Sequence, residues 1–197
     1  MPEFLINFLK DKSLRIIGGD LKSKKIRSIK GTKTRPTSDR IRESIFNIIS
    51  FNVKNTCILD LFAGTGAFAI EALSRGAKFA VFIDISKSAV SAIRENIKSC
   101  NLDDRVKVVK WDINKNLNCI EHSNPTFDLV FMDPPYDKDF LKPALLNLHL
   151  SCCMEKDCLI IVEHSLRESI PNEPAVFEIT DQRKYGKTLV SFLNYVI

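Results

Sequence analysis

Residues 127–140, FDLVFMDPPYDKDF, run an apolar stretch of strand length into an acid, two prolines and a tyrosine. Asp133 falls at the carboxyl end of that strand, the edge at which open α/β sheets bind ligands. Pro134 excludes the α region for Asp133, and Pro134 and Pro135 each fix their own φ and lack an N–H. The loop is therefore stiff and rich in acceptors. A carboxylate and bare carbonyls suit a substrate group with hydrogens to give, such as an amine. Tyr136 adds a flat face on which a planar base can stack. Taken alone, the same four residues also read as a solvated Asp-Pro turn.

A second constellation precedes it. CILDLFAGTGAFAIEALSRGA, residues 57–77, reads as strand, glycine-bearing turn and helix. Gly64 and Gly66 permit a tight turn and close approach of backbone to a ligand, and the helix that follows presents N–H groups. With Ala69 the stretch satisfies G-x-G-x-x-A, so a dinucleotide site competes. Asp84 ends the next strand, FAVFID, where a carboxylate can accept from both hydroxyls of a ribose. Asp112 ends a third, VKVVKWD, where it reads on its own as a loop acid but could also reach an adenine amino group across the sheet edge. With Asp60 and Asp133 these acids line one edge. A nicotinamide enzyme would use Asp84 but has no need of D-P-P-Y, whereas a positively charged sulfonium cofactor fits an acid-rimmed site.

These residues need a scaffold. At 197 residues and 45% apolar content, the chain suits one main domain. From residue 57 apolar strands alternate with amphipathic helices: strands near 57–62, 79–84, 106–111, 127–132 and 158–163, helices near 67–75, 86–99 and 138–149. That rhythm predicts a doubly wound, mostly parallel α/β sheet. Two more strands, near 175–180 and 188–196 and joined by DQRKYGK, predict a C-terminal antiparallel hairpin. Ahead of these lie LRIIGGDLKSKKIRSI, read as a basic hairpin turning at Gly18-Gly19-Asp20, and TRPTSDRIRESIFNIIS, a helix with start signals at Pro36, Thr37, Ser38 and Asp39.

Charge divides the chain. Residues 1–54 hold 13 Lys and Arg against 5 Asp and Glu, while 55–197 hold 16 against 19. A basic module of residues 1–54 ahead of a slightly acidic one of 55–197 suggests a polyanion for the first. Six cysteines without a C-x-x-C pair suit reduced thiols, and the opening segment lacks the features of a signal peptide, so a cytoplasmic protein is expected. His149, Cys152, Cys153 and Cys158 lack metal-ligand spacing, and no metal is expected.

DLFAGTG followed by DPPY resembles the class I S-adenosylmethionine-dependent amino methyltransferases. RIIGG, TRPTSDRIRESIFN, LDLFAGTGAFAIEALSRGA, FMDPPY, VEH and YG, in that order, resemble the RsmD-type 16S ribosomal RNA guanine-N2 methyltransferases over roughly residues 14–190. Relatives usually carry glycine where Ser23 stands, and a Ser, Leu and Gly where Thr65, Phe68 and Ala69 stand. The resemblance implies a seven-stranded Rossmann-like methyltransferase sheet. It implies S-adenosylmethionine held by Asp60, Phe62, Ala63, Gly64, Thr65, Gly66, Asp84, Ile85, Asp112 and Ile113, with S-adenosylhomocysteine as product. Asp133, Pro134 and Tyr136 would act on the base. The partner would be 16S ribosomal RNA within a small ribosomal subunit particle, with no membrane and no obligate protein partner. Lys24, Lys25, Arg27, Lys33, Arg35, Arg40 and Arg42 would face the RNA, although Arg35 also stands where it could reach the cofactor. An adenine-N6 methyltransferase of DNA or other RNA shares the D-P-P-Y chemistry. An NAD(P)-dependent oxidoreductase and a ribosome-binding module without catalysis are more distant alternatives.

Overall fold

A computed structural model describes residues 14–29, 39–120 and 125–197. Lys33, Arg35 and the start signals Pro36, Thr37 and Ser38 lie outside them.

The centre of the sheet follows from apolar runs that can be buried on both faces. Strands β1 (Cys57–Leu61), β2 (Phe79–Asp84), β3 (Val106–Lys110), β4 (Phe127–Met132), β5 (Met154–Ser165), β6 (Phe177–Tyr185) and β7 (Thr188–Tyr195) stand in the order β3-β2-β1-β4-β5-β7-β6. The first five are parallel, and β7 runs antiparallel to both β5 and β6. Helices α1 (Asp39–Ile48), α2 (Ala67–Ser74), α3 (Lys87–Cys100) and α4 (Leu141–Leu150) divide between the two faces. On one face, Phe46 of α1, Ile70 of α2 and Ile93 of α3 pack with Ile58, Phe82 and Phe131 of the sheet. On the other, Leu141, Leu145 and Leu148 of α4 pack with Leu61, Val130 and Ile160.

The N-terminal segment is a short ribbon closed by one antiparallel bridge, Arg15 to Lys25, flanked by Ile16 N–H to Lys24 O and Ile26 N–H to Leu14 O, each 2.9 Å. Its apolar side chains Leu14, Ile16 and Ile26 join the cluster that contains Ile58 and Phe131. Ser23 turns the ribbon with φ 70°, left-handed backbone that glycine adopts without penalty.

Two strands depart from the sequence reading. The stretch DQRKY, expected in a connection, continues β6, and the hairpin turns only at Gly186-Lys187 between Tyr185 and Thr188, which pair. Residues of β6 are mostly exposed on a sheet edge, so they carry no apolar pattern to betray a strand. Strand β5 begins at Met154, earlier than expected, with a register shift opposite Phe127 and Leu129.

Candidate active site

Four parallel strands deliver their carboxyl ends to one edge at one level. Leu61 pairs with Ile83 on one side and Met132 on the other, and Asp84 pairs with Lys110. The residues that follow, Phe62, Asp84, Asp133 and the Trp111-Asp112 pair, therefore share a rim. Backbone bonds extend the alignment past the strands: Ala63 N–H to Ile83 O at 3.1 Å, Asp133 N–H to Leu61 O at 3.5 Å and Trp111 N–H to Asp84 O at 3.1 Å.

The glycine turn is held from three directions. Asp84 Oδ2 accepts the Gly64 N–H at 2.9 Å, and its Oδ1 accepts the Ser86 N–H at 2.8 Å at the start of α3. Gly66 has φ 77°, and a Cβ there would lie 3.0 Å from the Phe82 ring, so both backbone and space call for glycine. Asp60 lies beneath the turn, 3% exposed, and its Oδ2 accepts the Ala69 N–H at 3.2 Å in the first turn of α2. Burial holds its carboxyl well above the ordinary carboxylate range, and the nearby Asp84 charge pushes the same way against the Ala69 bond. The third support is Asn96 of α3, buried, whose Nδ2 donates to Thr65 O at 2.9 Å and to Arg27 O at 3.1 Å while its Oδ1 accepts the Arg27 N–H at 2.6 Å. An asparagine on the apolar face of an amphipathic helix is a visible anomaly, and that was the signal by which sequence reasoning could have found it.

Along the rest of the rim, Phe62 stacks on Phe140, with centroids 6.3 Å apart, and Ala63 is buried. Ile85 is 58% exposed beside Asp84. Asp112 is half-buried and accepts the Asn114 N–H at 3.2 Å. Ile113 is buried, and its carbonyl accepts from Asn147 Nδ2 of α4 at 2.8 Å.

In the D-P-P-Y loop, Asp133 is half-buried and Pro134 buried, and Tyr136 keeps 37% of its surface open. The Tyr136 hydroxyl donates to Glu163 Oε1 at 2.7 Å and lies 3.2 Å from Thr188 Oγ1. Burial, then the Glu163 carboxylate, pushes the Tyr136 phenol far up, so it stays protonated and donates. His164, next along β5, is fully buried between Ser191 Oγ at 2.8 Å and Ser165 O at 3.1 Å, and burial lowers its pKa. Its surroundings make it a core residue.

Of the basic front, Lys25, Arg27 and Arg40 are exposed, Lys24 is half-buried, and Arg27 pairs with Glu95. Arg42 corrects the sequence reading. It is 1% exposed, with Nη2 bonded to Arg15 O and to Asp39 Oδ1 at 3.1 Å and Nε 3.8 Å from Glu71 Oε2. Helical periodicity turns this side chain inward, and phosphate cannot reach it. Glu71, also fully buried, accepts the N–H groups of Ile17 and Gly18 and bonds Arg75 Nε, each at 2.7 Å. Among the described residues no group of three or more His, Cys, Asp and Glu side chains could hold a metal ion, and no helix is long and apolar enough to cross a membrane.

A family model described as "Conserved hypothetical protein 95" matches residues 14–194. The Bacillus subtilis (strain 168) protein YlbH is 34% identical over 178 residues, covering 90% of this chain and 97% of that one. The ribosomal RNA small subunit methyltransferase D of Buchnera aphidicola subsp. Acyrthosiphon pisum is 33% identical, covering 83% and 84%. Among solved structures, the Escherichia coli protein yhhF superposes with a TM-score of 0.82 at 27% identity, covering 93% of this chain and 98% of that one.

Proposed function

The chain belongs to the family described as conserved hypothetical protein 95, and on that premise we propose that it methylates the exocyclic N2 amino group of a guanine in 16S ribosomal RNA, using S-adenosylmethionine. It is a methyltransferase of the ribosomal RNA class to which its relatives named small subunit methyltransferase D belong. One observation carries the finer reading: the glycine turn closed by Asp84 and the D-P-P-Y loop share one rim of adjacent parallel strands, β1 and β4.

The rim suits the cofactor. Each Asp84 oxygen accepts one backbone N–H, which leaves lone pairs for two ribose hydroxyls. Exposed Ile85 offers an apolar face to a flat ring, Asp112 an acceptor for its amino group, and the half-buried Gly64-Thr65 stretch of the glycine turn a place for the remainder. Bound there, S-adenosylmethionine supplies a methyl carbon made electrophilic by its sulfonium, and S-adenosylhomocysteine is left.

The chain's own residues do the rest. Guanine N2 is a poor nucleophile because its lone pair is delocalised into the ring. Asp133 and the Pro134 carbonyl accept its two hydrogens and aim the lone pair outward. As positive charge builds on the nitrogen, the fixed Asp133 carboxylate stabilises it more than it stabilised the neutral amine, which lowers the barrier. The nitrogen then loses a proton past Asp133 to water. Tyr136 stacks on the base, which must be unpaired or flipped out to arrive. Lys24, Lys25, Arg27 and Arg40 neutralise neighbouring phosphates, with Lys33 and Arg35 assigned to the same front, within a small ribosomal subunit particle.

The deciding experiment maps methylated nucleotides in small-subunit RNA from cells with and without this gene. Loss of one N2-methylguanine is expected. Loss of an N6-methyladenine instead would transfer the D-P-P-Y chemistry to the other base.

A further inference from the structure

Tyr136 follows two prolines on a loop, yet its hydroxyl is tied to two other strands. Glu163 Oε1 on β5 accepts it at 2.7 Å, and Thr188 Oγ1, first residue of β7, lies 3.2 Å away. Glu163 is 5% exposed and lies two residues from the end of a strand buried along its last half. Thr188 is placed by pairing with Ser165 and Tyr185, and the Tyr185 hydroxyl is bonded to Ser44 Oγ of α1. The hairpin that runs farther than its sequence suggests thus brings its turn up to the D-P-P-Y loop.

We propose that Glu163 is a positioning residue for methyl transfer, which anchors the Tyr136 hydroxyl and so fixes the plane of the ring against the target base, with Thr188 as a second stay. This rests on the reading of the rim as a methyltransferase site. A tyrosine ring has two side-chain torsions, and a bond from its far end to a buried carboxylate removes the freedom of both. A bond to an ionised acceptor is also stronger than one between neutral groups. Displacement by about 1 Å can cost on the order of a hundredfold in rate, so a stacking platform gains most from being immobile. The role is geometric, because the hydroxyl is engaged by Glu163 and Thr188 on the strands behind the loop.

A double-mutant cycle tests this, with methylation of small-subunit RNA by the full chain followed at saturating S-adenosylmethionine. Tyr136→Phe and Glu163→Gln should each lower kcat about tenfold, and Glu163→Leu about a hundredfold. Calorimetric affinity for S-adenosylmethionine and Tm should stay near wild type for the first two. The double variant Tyr136→Phe/Glu163→Gln should be no slower than the slower single variant, because once Tyr136→Phe has removed the hydroxyl, Glu163→Gln has no bond left to weaken. Multiplied losses would place the action of Glu163 elsewhere and overturn the proposal, as would a wild-type rate for Tyr136→Phe, which removes the anchored hydroxyl outright. Should Glu163→Leu fail to fold, the conservative cycle decides alone. If the wild-type chain methylates no guanine, it is the parent reading of the site that falls, an outcome distinct from either.

Discussion

Asp84 and Gly64, twenty residues apart, are joined by a 2.9 Å hydrogen bond that ties the end of β2 to the glycine turn after β1. One carboxylate thus shapes the turn and, in the proposed complex, binds a ribose. Asp84→Ala should weaken S-adenosylmethionine binding by tenfold or more, with kcat at saturation little changed, since ribose contacts are made equally in ground and transition states. Asp84→Asn should do almost as badly. Both oxygens face backbone N–H donors, and an amide offers an acceptor to only one. Calorimetry that found either variant binding like wild type would remove Asp84 from the cofactor site.

Asp133→Ala should behave in the opposite way. Its carboxylate matters most once charge has developed on the amine, so kcat should fall by about 10²–10³ while cofactor affinity holds. Single-turnover methylation on pre-bound RNA is the clean measurement. A rate near wild type would reduce D-P-P-Y to a rigid turn.

The basic front and Arg42 should separate in two assays. Replacing Lys24, Lys25 and Arg40 by alanine should flatten the dependence of log affinity on log salt by about two, at about 0.7 for each contact to single-stranded RNA, and leave the fold intact. Arg42→Ala should leave the slope alone and cost about 1–3 kcal/mol in stability, since it removes the Nη2 donor from the Arg15 carbonyl and empties a buried site. An Arg42→Ala protein that melts like wild type but binds RNA with a shallower slope would restore that residue to the surface.

Asp60 gives a pH signature. Its pKa is raised by burial, so between the ordinary carboxylate range and the raised value the folded protein keeps a proton that the unfolded chain has lost. The stability this contributes is complete below about pH 4 and drains away as pH rises toward the folded value. Asp60→Asn keeps an acceptor for the Ala69 N–H and cannot ionise. Its stability relative to wild type should therefore increase as pH rises above the ordinary carboxylate range, in urea titrations at a series of pH values. A constant difference would show Asp60 ionised in both states.

The parallel core and its rim were legible because fully buried strands announce themselves as apolar runs, and Asp84 and Asp133 stand at their visible ends. β6 was not, because an edge strand with solvent on its residues has no pattern to distinguish it from a loop. Arg42 shows a different failure. Residue type and local charge assigned it to the surface, but it falls on the buried face of α1 with Ile45 and Phe46, where it meets the Arg15 carbonyl of the ribbon. Glu163, quoted only within VEH, and Asn96, visible only as a polar residue on an apolar helix face, received no role because their partners, Tyr136 in one case and Thr65 and Arg27 in the other, are distant in sequence and meet only through topology.

Asn96 grips the backbone of Arg27 with a pair of hydrogen bonds and the carbonyl of Thr65 with a third. The proposed phosphate-gripping ribbon and the turn beside the methyl source are consequently two jaws of one calliper, bridged by one amide while Glu71 and Ser74 hold the ribbon to α2. Under the proposed function a nucleotide would then be chosen partly by measurement, its base lying one set span from the phosphates at the ribbon. An RNA with the right base on a longer or shorter arm would be gripped and left unmodified.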